Sequence, residues 1–121
     1  MIIAFICIVL IFNTMETISI HRPKIVVIGS CNTDMVVKAN RLPVPGETIL
    51  GGTFYMNPGG KGANQAIAAA RLGAEVTFIS KIGYDLFGLQ ALEIYRSEKI
   101  NKEYIFTDQK SPYGVALISV D

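Results

Sequence analysis

The sequence alternates short β-branched runs with helix-forming stretches, and this rhythm limits the fold more than any other feature. Lys24-Ile25-Val26-Val27-Ile28-Gly29 is a continuous apolar run closed by glycine. That is the pattern of a strand buried on both faces of a parallel sheet. Ala63 to Leu72 is rich in helix formers, and Gly73 stands where a glycine stop belongs. Glu75 to Ser80 reads as the next strand. Asp85 to Lys99 reads as a second helix, capped by Asp85, with Leu86, Leu89, Leu92 and Tyr95 as its apolar stripe. Tyr104-Ile105-Phe106 and Val115 to Val120 read as further strands. The order predicts an α/β fold: an open, mainly parallel sheet with helices on its faces and right-handed crossovers.

Between the first strand and the first helix lies a β-rich excursion, residues 35–57. It holds a short strand at Val36 to Ala39, a turn at Arg41-Leu42-Pro43-Val44-Pro45-Gly46, and two β-rich pieces, Thr48 to Leu50 and Thr53 to Tyr55. Gly51-Gly52 between those pieces predicts a bulge or bend. With the last strand, the excursion reads as an addition to the main sheet.

The apolar residues of the 121-residue chain are unevenly spread: Met1 to Phe12 are all apolar. A bilayer span needs about 20 such residues, and this run stops at Asn13. A secretory h-region has about this length, but the basic n-region is absent. A non-native or unstructured extension, a signal-like leader, and an ordinary strand or helix remain open for it. Residues 1–23 are therefore read as an apolar leader and linker, and 24–121 as the domain. A formal charge of +1 argues against a nucleic-acid partner. Cys7 and Cys31 are too few for a disulfide framework, and no Cys/His cluster reads as a metal site. His21, the one histidine, precludes a pair of histidines in catalysis.

Two loops carry the chemistry. Asn57-Pro58-Gly59-Gly60-Lys61-Gly62 lets backbone approach a ligand closely ahead of a helix. Its spacing refuses both the P-loop, which needs Gly, four residues and Gly-Lys-Ser/Thr, and the dinucleotide fingerprint. Asn32-Thr33-Asp34 follows the first strand, where open α/β sheets bind ligands. A carboxylate acceptor beside an amide and a lysine suits a polyol, whose hydroxyls need both donors and acceptors. Each loop alone also fits a purely structural turn.

Together the loops carry a resemblance. Gly29-Ser30-Cys31-Asn32-Thr33-Asp34, Pro45-Gly46-Glu47-Thr48 and Gly59-Gly60-Lys61-Gly62-Ala63-Asn64-Gln65-Ala66 resemble the N-terminal part of the PfkB family of carbohydrate kinases, in its ribokinase-like branch. Gly73, Gly83 and Gly83-Tyr84-Asp85-Leu86-Phe87-Gly88 agree in order and spacing, so the resemblance runs from about Lys24 to Asp121. It implies a ribokinase-like fold with a small β-sheet lid, built from residues 35–57 and 113–121. Asn32, Asp34, Gly60, Lys61 and Asn64 are then the sugar-binding residues, and Gly59-Gly60 the lid hinge.

The implied activity is ATP-dependent phosphorylation of ribose at its 5-hydroxyl, with Mg2+ and a monovalent cation such as K+. The implied setting is a cytoplasmic homodimer paired through its lids. In this family the catalytic aspartate lies in a Gly-Ala-Gly-Asp-like motif far toward the C-terminus, with the nucleotide and cation sites. This sequence contains none of these, so no catalytic or metal-binding residue is assigned, no cofactor is expected on this chain, and the chain by itself is expected to be inactive. A non-catalytic sugar-binding or dimerisation module is the alternative. Cys31 is expected to pack beneath the sugar loop, Phe54 and Tyr55 to pack within the lid, and Arg71 to face solvent.

Overall fold

The computed structural model describes residues 21–121. The readings of residues 1–20 as part of a leader, and of Cys7, lie outside the described residues. The elements are β1 (Lys24–Ile28), β2 (Asn32–Lys38), β3 (Thr53–Gly59), α1 (Lys61–Arg71), β4 (Glu75–Gly83), α2 (Leu86–Ser97), β5 (Ile105–Asp108) and β6 (Val115–Val120).

The strands form two three-stranded sheets. The first has the order β1-β4-β5 and is parallel throughout, with Lys24 opposite Glu75 and Ser80 opposite Ile105. The helices α1 and α2 make its two crossovers, as parallel neighbours require. The second sheet has the order β3-β2-β6: β2 runs antiparallel to β3 and parallel to β6. It is the excursion and the final strand of the sequence, joined apart from the main sheet.

One core sits between the first sheet and both helices. Val27 from β1 and Val76, Phe78 and Ile82 from β4 pack against Ala63, Ala66 and Ile67 of α1 and Ala91 and Tyr95 of α2. The Phe78 and Tyr95 rings meet edge to face, with centroids 5.4 Å apart. The alanines of α1 recur on one face, which lets the helix lie close to the strands. β1 differs from its sequence reading: Val27 is buried, but Val26 and Ile28 are 62% and 77% exposed. Both helices pack on the side that Val27 faces, so the β-branched run is covered on one side only.

Each helix ends in the same way. After α1, the amide of Gly73 bonds the Ala70 carbonyl and that of Ala74 bonds the Ala69 carbonyl. This is the Schellman arrangement, with Gly73 at φ 94°. After α2, Lys99 and Ile100 repeat it on the Arg96 and Tyr95 carbonyls, with Lys99 itself at φ 58°. At the start of α2, Asp85 is the cap, its Oδ1 accepting from the Gly88 amide at 2.9 Å.

The apolar stripe of α2 is shifted from the one expected. Leu86 and Leu89 are 66% and 51% exposed, whereas Gly88, Ala91 and Tyr95 are buried. A Cβ on Gly88 would lie 2.0 Å from the Gly83 carbonyl oxygen, so the helix start approaches the strand end too closely for a leucine. Thr48 to Leu50 is not a strand. Gly51 and Gly52, at φ 88° and 104°, bend the chain there and Leu50 is left exposed. The preceding turn is tied instead by Arg41, whose guanidinium forks onto the Glu47 carboxylate. Val44-Pro45-Gly46-Glu47 closes with a 3.0 Å bond from the Glu47 amide to the Val44 carbonyl. Gly46 supplies the positive φ of 83° that a type II turn needs after proline.

Candidate functional site

The site is built around β2. The sequence reading makes Ser30 to Asp34 a polar loop and starts a strand at Val36; the structure starts the strand at Asn32. β2 is the central strand of its sheet, paired with Gly59, Pro58 and Asn57 on one side and with Val115 and Ala116 on the other. Pairing on both sides overrides the low strand propensity of Asn and Asp. β3 likewise runs through Asn57-Pro58-Gly59 rather than ending before them, which Pro58 tolerates because β3 is an edge strand.

Residues two apart on a strand share a face, so Asn32 and Asp34 point the same way. Asn32 Nδ2 donates to Asp34 Oδ1 at 2.6 Å. The Asp34 carboxylate also lies directly over Gly59: a Cβ there would be 2.5 Å from all three carboxyl atoms. Gly59 is thus small because the carboxylate occupies the space. Ala116 stands opposite Asp34 in register on the same face, a neighbour that its plain apolar character did not single out in the sequence.

The next glycines bring the first turn of α1 up to this pair. Gly60 caps the helix at φ 99°, and a Cβ on it would be 2.5 Å from the Cys31 Cα. A Cβ on Gly62 would be 2.7 Å from Gly29. The Ala63 amide bonds the Ser30 carbonyl at 3.1 Å, tying the helix start to the end of β1. Lys61 and Asn64, three residues apart and so on one helix face, are exposed on that first turn. The structure therefore gathers Asn32, Asp34, Gly59 and Gly60 at one point, with Lys61 and Asn64 on the adjoining turn.

This arrangement offers carboxylate acceptors, an amide with both donor and acceptor, and an ammonium donor at the carboxyl end of β1. It suits a ligand with several adjacent hydroxyls. It does not fit a nucleotide phosphate among the described residues, because the glycine loop faces the Asp34 carboxylate and a second anion there would be repelled. Among the described residues, no group of three or more His, Cys, Asp and Glu side chains is placed to hold a metal ion.

Beneath the site, Cys31 is buried as expected, its Sγ 3.3 Å from Ser80 Oγ, which in turn donates to the Gly29 carbonyl at 2.7 Å. The Cys31 thiol and the Tyr113 and Tyr95 hydroxyls face one another. Burial raises both tyrosine hydroxyls above the ordinary phenol range, so both remain neutral donors. The other face of the β3-β2-β6 sheet, carrying Thr33, Met56 and Pro58, closes a cavity of about 160 Å³ against Phe87 and Ile94 of α2. Phe54 and Tyr55 are exposed on β3, away from the core cluster. Arg71 faces solvent, as expected, and its guanidinium pairs with Glu98.

Residues 22–121 match the profile of the pfkB family carbohydrate kinases. The chain belongs to that family, and its fold is ribokinase-like. It is 48% identical over 94 residues to the ribokinase of Bacillus subtilis, covering 78% of this chain and 32% of that one. It is 43% identical over 97 residues to the ribokinase of Mus musculus, covering 80% and 30%. Among solved structures it superposes on the ribokinase of Giardia lamblia with a TM-score of 0.73 at 37% identity, covering 82% of this chain and 30% of that one. An Arabidopsis thaliana ribokinase complexed with ribose and ATP gives a TM-score of 0.73 at 35% identity, covering 82% and 32%. The chain spans about a third of the length of the curated relatives it matches. Among the described residues, no helix is long and apolar enough to cross a membrane.

Proposed function

We propose that residues 24–121 form the sugar-binding, N-terminal part of a ribokinase-like kinase, whose reaction is ATP-dependent phosphorylation of ribose at the 5-hydroxyl. The observation that carries this reading is the Asn32–Asp34 pair held over Gly59 by the central strand of a separate small sheet. Asp34 accepts hydrogen bonds from adjacent sugar hydroxyls, and Asn32 orients its carboxylate. Lys61 and Asn64, on the first turn of α1, close around the same sugar beside Gly60. The β3-β2-β6 sheet is the lid, and Gly59-Gly60 is its hinge. Closure excludes water and strengthens every polar contact inside.

The lid presents Leu117 and Phe54 exposed on one face, which supports pairing of two lids in a homodimer. The phosphoryl donor ATP, Mg2+ and a monovalent cation such as K+ are held by parts of the family fold that the described residues do not form. A cytoplasmic setting fits that chemistry. The test is isothermal titration of D-ribose into the chain. Binding that Asp34→Ala weakens about tenfold or more is expected from the loss of hydrogen bonds to a charged group. Titration of the folded wild-type chain with no heat of binding at millimolar ribose overturns the proposal.

A further inference from the structure

The segment Gly83-Tyr84-Asp85-Leu86-Phe87-Gly88 does more than start a helix. The chain that returns to the lid, Ser111-Pro112-Tyr113, lies directly on Gly83: a Cβ there would be 2.2 Å from the Tyr113 nitrogen and 2.7 Å from the Ser111 carbonyl oxygen. Asp85 stands at the junction with both carboxylate oxygens engaged. Oδ1 accepts from the Gly88 amide at 2.9 Å, and Oδ2 accepts from the Tyr113 amide at 2.7 Å. Tyr113 is buried, so its N–H has Asp85 in place of water, and a buried donor without an acceptor is costly. The next residue, Gly114, gives its carbonyl to the Thr33 amide at 2.9 Å, and Thr33 lies between Asn32 and Asp34.

We propose that Asp85 is a positioning residue for the sugar site. One oxygen caps α2, the other fixes the base of β6, and through Gly114 and Thr33 it sets the strand that carries Asn32 and Asp34. The proposal rests on the reading of that pair as the sugar-binding residues. It makes Tyr113 the anchored end of the lid, in contrast to the glycine pair at the end of β3. The buried ring of Tyr113, facing Tyr95 and Cys31, holds the same point from the core side.

Asp85→Asn separates the two jobs of the carboxylate. Asparagine is as good a helix cap as aspartate, but its second polar atom is a donor and cannot accept from the Tyr113 amide. Glu93→Gly serves as a control that weakens α2 at an exposed site a full turn beyond the clamp. Amide hydrogen exchange and D-ribose titration are measured on the 121-residue chain and both variants. The expected result for Asp85→Asn is faster exchange at Tyr113 and Thr33 and weaker ribose binding, each by about tenfold, with the first-turn amides of α2 still protected. Glu93→Gly leaves the Tyr113 and Thr33 amides and ribose affinity unchanged. Unchanged exchange at Tyr113 and Thr33 in Asp85→Asn, or the same pattern in both variants, overturns the proposal. So does ribose affinity that survives loss of the clamp. A folded wild-type chain that binds no ribose overturns the functional reading instead, and exchange at Tyr113 and Thr33 then decides whether Asp85 is a clamp at all.

Discussion

The Asn32 side-chain amide donates to the Asp34 carboxylate at 2.6 Å, across two residues of one strand and on one face of it. The two groups therefore act as a unit. On the proposed reading of the site, Asn32→Ala and Asp34→Ala are each expected to weaken ribose binding, and the double variant to weaken it by less than the sum, with a coupling of about 0.5–3 kcal/mol. A double-mutant cycle by calorimetry checks this; strictly additive losses contradict it.

The glycines of the chain differ in why they are glycines. Gly62→Ala forces a methyl to within 2.7 Å of the Gly29 backbone, and destabilises by about 1–3 kcal/mol through overpacking. Gly51→Ala meets nothing within 4 Å and pays only for its φ of 88°, about 1–2 kcal/mol. Gly60→Ala carries both penalties, since its φ is 99° and its methyl strikes Cys31. Urea unfolding should rank Gly60→Ala as the most damaging of the three and Gly51→Ala as the least.

Lys99 adopts φ 58° to complete the turn after α2, a conformation that glycine takes without steric cost. Lys99→Gly should stabilise the chain by about 1 kcal/mol. A lower urea midpoint in the variant would show that the lysine side chain contributes more than its backbone costs.

Asp108, at the end of β5, contributes to the acid limb of the stability profile together with the other ion-paired and capping carboxylates. The Lys81 ammonium, 2.6 Å from Oδ2, and the Lys110 and Ser111 amides on Oδ1 lower its pKa to about 2. The folded value lies below the ordinary 3.8, so the contribution is complete above about pH 4 and is lost as pH falls toward 2. Asp108→Asn should flatten this part of the curve of urea midpoint against pH. A wild-type loss centred above pH 5 would assign the transition to another group.

The parts of the fold legible in the sequence were those governed by local chemistry. The alanine face of α1, the Gly73 stop and the Asp85 cap follow from propensity and backbone need alone. The misreadings come from how elements meet in space, which residue type and periodicity do not encode. Asn32 and Asp34 look like loop residues until Gly59 and Ala116 pair on either side of them. Leu86 and Leu89 look like a core stripe until the close approach of Gly88 to Gly83 turns α2 about its axis. The gathering of Asn32, Asp34, Gly59 and Gly60 was expected from the resemblance of two glycine-bearing motifs. The second oxygen of Asp85 was not legible, because its partner Tyr113 is 28 residues away.

The parallel pairing of β2 with β6 sets an order of assembly. Thr33 meets Val115 across some eighty residues of intervening chain, which contains β3, β4, β5 and both helices. Such distant pairings are slow, because the ends must be brought together before any contact rewards them. During synthesis, β2 and β3 emerge long before β6 and can pair only as a two-stranded ribbon, bare on the β2 edge as well as the β3 edge. The edge that β6 eventually occupies is, in that interval, a template for any passing strand, including one from a neighbouring nascent chain.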